Sequence, residues 1–429
     1  LFLKMGLRKQ LEQAILKIEI LDKENEELKS RLAAYENPHT PSSKQSFKER
    51  PLIPDKDKKK NGQKKGHEGT TRPQAKPSHI IPVTAKSCLC GRKLGKPSFI
   101  EPRIIEETPK PQPIIVTQYD VAHYDCACGI HVVASHPDCP SEGIFGKNLL
   151  SKIALLKFDD RLPHRKITAA LQRDYGITIS PGAIFDCTRR VADSLKEEHK
   201  QSMKKIRRAK VIYVDETEIK VNGKTYYLWV FTTPNLTVFV IRRSRGEEPI
   251  KEVLGKHFKF TIVCDGWRVY VSYTDNIQRC WAHLLREAET LANKNRSAQT
   301  LYEGLQRIFT QVRAITPKTP KELRQKIYDN LILEINQWVD YAMSRTELRK
   351  FGTKIKNGLR HWLTRILNPL AEPTNNLAEQ RLREPIVQRK IFGTLRSEKG
   401  TRIMEILLSM ITTWKQKKIS PYQAMVSRI

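Results

Sequence analysis

Three acidic residues lie at the ends of apolar segments or near the start of a helix. A carboxylate next to a buried segment is costly, so its presence there indicates a chemical role. Asp215 follows the apolar run VIYV, Asp265 closes a second apolar run, FTIVC, and Glu379 lies near the start of a predicted helix, EPTNNLAEQRLRE. Carboxylate oxygens are the protein ligands that Mg²⁺ prefers, together with water and phosphate. If the three carboxylates converge, they outline a site that holds two divalent cations for phosphoryl transfer.

The stretch 211–233, VIYVDETEIKVNGKTYYLWVFTT, predicts the strands that carry the first of these carboxylates. β-Branched and aromatic residues dominate it, and its Asn222-Gly223 pair is a strong signal for a two-residue hairpin turn. The run VIYV is typical of a strand that is buried on both faces. We therefore expect a β-hairpin whose first strand delivers Asp215 at or just past its end.

Further strands and helices alternate after this hairpin. A third strand, TVFVIRR, precedes a helix near EPIKEVLGKHF, the strand that ends in Asp265, and a helix in IQRCWAHLLREAETLANK. The pattern predicts a mixed sheet over 206–283, with three antiparallel strands followed by βα units and with helices packed over it. This is the order of the ribonuclease H-like fold. Residues 284–370 have a helical period without strand signals, which predicts a helical insertion before the C-terminal part of the core, 371–429.

The helix that carries Glu379 also presents cationic side chains. Arg383 lies four residues after Glu379 on the same face, and Asn376 lies three residues before it. Arg389 and Lys390 follow about two turns later. A carboxylate for metal and a guanidinium for phosphate would thus be presented together. A salt-bridged surface helix is the alternative interpretation.

The charge of the chain favours a polyanionic partner. The 429 residues include 77 Lys+Arg and 46 Asp+Glu, which gives a formal net charge of +31. Nucleic acid is the partner that such an excess predicts, although a merely soluble basic protein is the alternative. Because no apolar run approaches the length of a membrane span and no signal-peptide core opens the chain, we expect a soluble intracellular protein.

The N-terminal region predicts a dimerisation helix and a linker. Over 1–36, apolar residues alternate spacings of four and three, and Asn25 falls on an a position of these heptads. A coiled coil that holds a dimer is the functional interpretation, and a single amphipathic helix packed on its own protein is the alternative. Residues 37–77 have no apolar period and many Lys and Arg, so we expect a flexible basic linker that could lie along phosphates.

Two matched cysteine pairs predict a small metal-binding module over 78–140. The cysteines are Cys88, Cys90, Cys126 and Cys128. Four thiolates on two tight turns, each followed by glycine, could hold one structural Zn²⁺. The spacing is C-x-C rather than the commoner C-x-x-C, so a vestigial site is the alternative, and Cys139, His123 or His131 could substitute as ligands.

Residues 141–205 predict a helix-turn-helix that binds DNA. Ser180 is placed as the N-cap and Pro181 as the first residue of the second helix. That helix carries Arg189 and Arg190, which are candidates for groove or phosphate contacts. A helical pair with no role in DNA binding is the alternative, because such pairs are common.

Several separate motifs stand in one order along nearly the whole chain. They are NPHTPSSK and GQKKGHEGTTRP in the linker, the paired cysteines, YVDET, CDGWRVY, RCWAHLLRE and TNNLAEQRLREPIVQRKIFG. In these motifs the chain resembles transposases of the insertion-sequence 66 family, a branch of the DDE transposases. The resemblance implies an enzyme of DNA transposition and recombination in which Asp215, Asp265 and Glu379 are the catalytic residues.

The resemblance also implies supporting residues and a domain order. Cys280 and His283 would form a C-x-x-H turn that enters the helical insertion. Asn376 is expected to support the site because of its position three residues before Glu379. The expected fold is a multidomain α+β protein: a ribonuclease H-like catalytic core with a helical insertion, preceded by a coiled coil, a small zinc-binding module and a helix-turn-helix. A prokaryotic, cytoplasmic and nucleoid-associated protein is expected.

The chemistry expected of such a site needs no covalent protein intermediate. Two Mg²⁺ or Mn²⁺ ions would be held, with Asp215 bridging both and with Asp265 and Glu379 each completing one. Water would free a 3′-hydroxyl at the element end, and this hydroxyl would attack target DNA. We expect a homodimer or higher homo-oligomer, with accessory element-encoded proteins as possible partners. The alternatives are a nuclease that cuts without joining and a DNA-binding regulator with an inactive core.

Overall fold

The computed structural model describes residues 17–18, 21–22, 24–25, 76–87, 89–106 and 111–429. The chain divides into two compact units, Leu1–Lys110 and Pro111–Ile429. The predicted coiled coil over 1–36 and the predicted linker over 37–77 lie almost wholly outside the described residues, so both stay predictions. Among the described residues, no helix combines the length and the apolar character that crossing a membrane requires.

The described part of the first unit is built from turns. A bridge joins Ser87 to Lys93, and the N–H of Leu94 donates a hydrogen bond to the carbonyl oxygen of Lys86 at 3.1 Å. Gly91 adopts a positive φ of 86° within this turn, which glycine does at little cost. Cys90 therefore lies on a tight turn, as the sequence predicts.

The second unit begins with a small two-stranded sheet. β1 (His123–Asp125) pairs antiparallel with β2 (His131–Val133), and both strands are exposed. The N–H of Gly129 donates a hydrogen bond to the carbonyl oxygen of Cys126 at 2.8 Å. The second cysteine pair therefore also lies on a tight turn.

Three helices follow in the region where a helix-turn-helix is predicted. They are α1 (Lys147–Phe158), α2 (His164–Tyr175) and α3 (Pro181–Ile206). Ser180 caps α3 by accepting a hydrogen bond from the N–H of Ala183 at 3.1 Å, with Pro181 in the first turn. α2 ends at Gly176 in the left-handed conformation, with a φ of 68°.

A five-stranded mixed sheet forms the centre of the second unit. Its strands are β3 (Val211–Val221), β4 (Lys224–Thr233), β5 (Leu236–Arg242), β6 (Thr261–Cys264) and β7 (Ile277–Arg279). Their order is β5-β4-β3-β6-β7. β3, β4 and β5 pair antiparallel, whereas β3, β6 and β7 pair parallel. The sheet is therefore mixed, as the sequence predicts, and the fold is α+β.

The first strand of the hairpin is longer than expected. The turn lies at Asn222 and Gly223, as predicted, and both have positive φ values, of 48° and 76°. β3 runs to Val221, so Asp215 lies inside the strand rather than at or past its end. The parallel pairing of β3 with β6 stops at Tyr213, whereas its pairing with β4 continues. Asp215 therefore lies just beyond the parallel pairing, and only that part of the expectation is met.

The remaining elements of the second unit are helices. They are α4 (Glu248–Leu254), α5 (Arg268–Tyr273), α6 (Trp281–Ala292), α7 (Arg296–Ala314), α8 (Lys321–Met343), α9 (Arg349–Asn357), α10 (Leu359–Trp362), α11 (Thr364–Leu367), α12 (Asn376–Phe392), α13 (Glu398–Gln416) and α14 (Pro421–Val426). α6 to α11 form a helical region between β7 and α12.

Each face of the sheet has its own apolar core. On one face, Leu228 and Phe239 share a cluster with Leu171 of α2, Leu195 of α3 and Leu407 of α13. The helices of the predicted helix-turn-helix region are therefore packed on the sheet. On the other face, residues of β3 to β7 pack against α4 and α5.

The helical region has a third core around Trp281 and Trp362. Gly304 of α7 faces Trp338 of α8 so closely that an added Cβ would lie 2.2 Å from the indole ring. The absence of a side chain at Gly304 is what permits this approach, because real Cβ contacts are never that short.

Helix α13 covers the outer edge of β5. Alternate N–H groups of β5 donate hydrogen bonds to side chains spaced one turn apart on α13. The pairs are Ile241 with Glu405 Oε1 at 2.7 Å, Phe239 with Ser409 Oγ at 2.8 Å, and Thr237 with Thr413 Oγ1 at 3.1 Å. The spacing of alternate N–H groups along β5 matches the spacing of one turn along α13, because two strand residues span about 6.8 Å and four helix residues span about 6 Å.

Candidate active site

Asp215 and Asp265 come from neighbouring parallel strands. In the register, Val211 faces Thr261 and Tyr213 faces Val263, and continuing it by two residues brings Asp215 beside Asp265. Each carboxylate is fixed by a backbone donor. The N–H of Glu216 donates to Asp215 Oδ1 at 2.9 Å, and the N–H of Trp267 donates to Asp265 Oδ1 at 2.8 Å.

Glu379 is brought to the same region by the anchored start of α12. The side-chain amide of Asn375 donates to the carbonyl oxygen of Val214 at 2.9 Å, and its backbone N–H donates to Cys280 Sγ at 3.2 Å. Asn375 precedes α12 without capping it through its side chain, because that side chain is used on β3. This buried amide, rather than the predicted Asn376, joins the helix to the strand of Asp215.

The electrostatics of Asp215 report the proximity of the other carboxylates. Burial raises the pKa of Asp215 to about 8, and the negative charges of Glu216, Asp265 and Glu379 act in the same direction. A carboxyl group surrounded by other carboxylates in a poorly hydrated site favours its protonated form. The structure thus brings the three predicted acids into one electrostatic cluster.

Glu216 is a fourth acid of this cluster, which the sequence reasoning missed. Its side chain is only 2% exposed, and it pairs with Arg245 at 3.0 Å. The hydroxyl of Tyr270 donates to its other oxygen at 2.5 Å. Arg245 also lies over the ring of Trp267, 4.1 Å from the centroid. The acidic pair Asp215-Glu216 was the available signal, but alternation places adjacent strand residues on opposite faces of a sheet.

Cys280 and His283 lie against Glu379 at the start of α6. His283 Nδ1 is 3.7 Å from Glu379 Oε1. One ligand atom from each of the three residues lies within 4.8 Å of the others, a condition that the three carboxylates of Asp215, Asp265 and Glu379 do not meet together.

The residues present fit a divalent cation. Glu379 Oε1 is buried and has no hydrogen-bond partner, which leaves a charged oxygen unsatisfied in the protein alone. Burial, together with repulsion from the neighbouring carboxylates, raises the pKa of Asp215, and a bound cation would favour its ionised form. An oxygen donor set of this kind suits Mg²⁺ or Mn²⁺.

The predicted DNA-contacting arginines are engaged to different degrees. Arg189 pairs with Glu142, Asp186 and Asp193 at 2.7–2.8 Å, so a phosphate contact would have to replace these partners. Arg389 donates to the backbone carbonyl of Glu218 and so joins α12 to β3.

Arg383 and Lys390 are exposed on α12. Arg190 lies against Gly143, where an added Cβ would be 2.7 Å from its Nη1 atom. DNA binding by all five residues stays a prediction.

The cysteine pairs are described separately in the two units. Hydrogen bonding from the backbone and side chain of Cys128 lowers the pKa of Cys126. In the same small sheet, His131 Nδ1 is 2.7 Å from Asp125 Oδ1, and its Nε2 is 3.1 Å from His123 Nδ1. Cys88 lies outside the described residues, and zinc binding by this module stays a prediction.

A cavity of about 390 Å³ lies at the start of β3. Three lysines line it, and among the described residues none of them has an acidic partner: Lys205, Lys210 and Lys417. Asn235 also lines it, and the carbonyl oxygen of its side chain accepts a hydrogen bond from Thr233. The amide nitrogen of Asn235 is therefore the end that is left to donate, so this cavity offers donors and suits an anion.

A family model described as "Transposase IS66 family" matches residues 142–403, more than half of the chain. The chain belongs to the IS66 family of transposases. This finding confirms the resemblance seen in the motifs, and the matched residues include all three predicted acids. Membership implies DNA as a partner and divalent metal as a cofactor class, as is general for DDE transposases. The IS66-family chain is also 22% identical over 397 residues to the uncharacterized protein y4hP of Sinorhizobium fredii, covering 80% of this chain and 69% of that protein.

Proposed function

We propose that this IS66-family transposase binds the ends of its insertion element and cuts and joins DNA at the cluster of Asp215, Asp265 and Glu379. The observation that carries the proposal is the convergence of these acids from β3, β6 and α12, expressed in the raised pKa of Asp215. Buried acids with strongly perturbed pKa values are characteristic of functional sites.

The arrangement of the elements supports a ribonuclease H-like core. Three antiparallel strands are followed by two parallel ones, and the acids stand on the central strand, after its parallel neighbour and on a later helix. The helical region 281–367 separates the second acid from the third, as a helical insertion would.

The three carboxylates would hold Mg²⁺ or Mn²⁺, and two ions per site are proposed. When bound, the ions supply positive charge that stabilises the attacking and leaving oxygens of an in-line displacement at phosphorus. Asp215 keeps its proton near neutral pH, so cation binding is coupled to proton release from its carboxyl group. Arg245 forms an ion pair with Glu216, the hydroxyl of Tyr270 donates a hydrogen bond to it, and the two contacts keep its side chain in place.

DNA binding would draw on the basic surface of the chain. Two exposed cations, Arg383 and Lys390, lie on the helix of Glu379, and the cavity lined by Lys205, Lys210 and Lys417 offers a second place for phosphate. Dimerisation through 1–36, structural zinc in 78–140 and accessory proteins belong to the same proposal.

The test compares Asp215→Asn, Asp265→Asn and Glu379→Gln with the parent on DNA that carries the ends of the encoding element. Each change should lower Mg²⁺-dependent cleavage by about 1,000-fold or more, because charge stabilisation in the transition state is removed, while binding to the ends stays within about twofold. Asp275→Asn, an exposed acid between α5 and β7, is the matched control and should keep full cleavage.

Cleavage at parental rate by any one of the three variants would remove that residue from the site. A second assay supplies pre-cut ends with a free 3′-hydroxyl. Strand transfer into a target plasmid supports a transposase, and cutting without joining supports the nuclease alternative.

A further inference from the structure

A set of softer ligands lies beside the carboxylate cluster and shares Glu379 with it. Cys280 Sγ, a ring nitrogen of His283 and a carboxylate oxygen of Glu379 all lie within 4.8 Å of one another. Within the described residues, this is the group of His, Cys, Asp and Glu ligands that is compact enough to hold one ion. His283 Nδ1 and Glu379 Oε1 are both buried without a hydrogen-bond partner. A cation held between these two atoms would satisfy both of them.

The geometry fits a tetrahedral ion. Ligand atoms bound to one zinc at 2.0–2.3 Å are about 3.4 Å apart. His283 Nδ1 and Glu379 Oε1 are already 3.7 Å apart, and the sulfur, which lies within 4.8 Å of both residues' ligand atoms, would have to move closer by no more than about 1.4 Å. Three protein ligands leave a fourth position open for water.

The ligands are held in place by the backbone. Cys280 is the residue before α6 and His283 is in its first turn, so the two side chains lie on one face of the helix. The N–H of Asn375 donates to Cys280 Sγ at 3.2 Å, and the N–H of Trp281 donates to the carbonyl oxygen of Pro373 at 3.0 Å. These contacts tie the start of α6 to the segment before α12, and N–H donors to sulfur are the kind of outer contact that orients a thiolate ligand.

The chemistry of this set differs from that of the carboxylate cluster. Thiolate and imidazole select Zn²⁺ over Mg²⁺, whereas carboxylates and water suit Mg²⁺. We propose that Cys280, His283 and Glu379 form a zinc site, and that zinc bound there withdraws Glu379 from the carboxylate cluster and inhibits the Mg²⁺-dependent reaction. The zinc site itself does not depend on the proposed function; only the inhibition rests on it.

The binding test uses the full chain, which is first reduced and stripped of metal and then placed in saturating Mg²⁺. Co²⁺ is added as the spectroscopic probe for zinc. Tetrahedral Co²⁺ with a sulfur ligand gives visible bands and a sulfur-to-metal charge-transfer band. Cys280→Ser should remove the part of the charge-transfer band due to this site and should weaken Zn²⁺ binding here by about 100-fold or more. Cys187→Ala, a buried cysteine on α3, is the matched control and should leave both unchanged.

The four cysteines of the predicted zinc module could also bind Co²⁺, so a separate experiment removes them. The same titration is repeated with Cys88, Cys90, Cys126 and Cys128 all changed to Ser, so that any ion still bound with sulfur ligation is assigned to Cys280. His283→Ala is included because its side chain is 39% exposed and its replacement should not prevent folding. A spectrum and stoichiometry that neither Cys280→Ser nor His283→Ala alters would overturn the zinc site.

The inhibition test measures the Zn²⁺ concentration that halves cleavage in saturating Mg²⁺, with each variant normalised to its own activity in Mg²⁺ alone. Cys280→Ser should raise this concentration at least tenfold, and Cys187→Ala should not change it. An unchanged value for Cys280→Ser would overturn the inhibitory role. If the parent shows no cleavage at all, the proposed function fails, and the Co²⁺ titration still decides the zinc site.

Discussion

Neutralising Asp215 without changing its shape is expected to stabilise the metal-free protein at neutral and alkaline pH. Burial and the neighbouring carboxylates raise the pKa of Asp215 from 3.8 to about 8 in the folded chain. Below about pH 4, both the folded and the unfolded chain hold this proton, so the group does not affect stability. As the pH rises, the unfolded chain releases the proton while the folded chain keeps it, and folding stability is lost up to the folded pKa.

The magnitude follows from the two pKa values. Between them, each pH unit lowers the free energy of unfolding by about 1.4 kcal/mol, so that up to about 4 kcal/mol is lost from pH 5 to pH 8. Asp215→Asn removes this loss and keeps an oxygen that accepts the hydrogen bond from the N–H of Glu216. At roughly 2 °C for each kcal/mol, the melting temperature of the variant should gain up to roughly 8 °C on that of the parent between pH 5 and pH 8.

The assay is thermal unfolding of the full chain at a series of pH values in chelator and in saturating Mg²⁺. Mg²⁺ should narrow this difference, because an ion at 100 times its Kd stabilises the parent by about 2.7 kcal/mol and the variant lacks a ligand. Asp329→Asn is the matched control, since Asp329 is exposed on α8 and accepts a hydrogen bond from Gln325. If the difference between Asp215→Asn and the parent does not change with pH in chelator, Asp215 does not lie in a crowded acidic cluster.

Three further predictions concern the edge of the sheet, the lysine cavity and the N-terminus. Glu405→Ala should destabilise the protein by about 1–3 kcal/mol in chemical unfolding, because the N–H of Ile241 loses its buried acceptor while Arg242 keeps its ion pair with Glu252. The exposed Glu303→Ala on α7 should cost far less. Changing Lys205, Lys210 and Lys417 to Gln should reduce the salt dependence of DNA binding. The slope of the logarithm of the binding constant against the logarithm of the salt concentration should fall by about 0.9 for each phosphate that the protein no longer neutralises. The same change at the exposed Lys318, Lys321 and Lys326 should leave the slope unaltered, and equal slopes for the two triple variants would exclude the cavity as a DNA contact. Deleting residues 1–36 should lower the oligomeric state measured by light scattering, and an unchanged mass would refute the predicted coiled coil.

The sheet could be predicted from the sequence because the local turn and strand patterns agree with the pairing of strands that are distant in the chain. The Asn222-Gly223 turn, the apolar runs and the Ser180-Pro181 helix start each specify a conformation within a few residues. The end of β3 was misplaced because the strand continues along β4 after its pairing with β6 stops, and periodicity along one strand does not reveal where a neighbouring strand ends.

The candidate site was less predictable than the strands. Asp215, Asp265 and Glu379 could be found because each follows or begins a recognisable element. Glu216 was missed because its burial depends on Tyr270 and Arg245, which lie far away in the chain. The position of Asn375 before α12 is typical of a helix cap, yet its side chain bonds to β3, since the approach of α12 to the sheet is set by tertiary packing.

The side chains of α13 that bond to β5 also determine where this protein can be shortened. β5 is a nearly continuous apolar strand, and its outer N–H groups are occupied by Glu405, Ser409 and Thr413. A chain that ends before α13 would leave those groups as an open template for strand addition by another molecule, which is a recognised route to aggregation. A stop codon before the end of α13 is therefore expected to cause aggregation, and two copies of the folded protein have to associate through surfaces other than this edge.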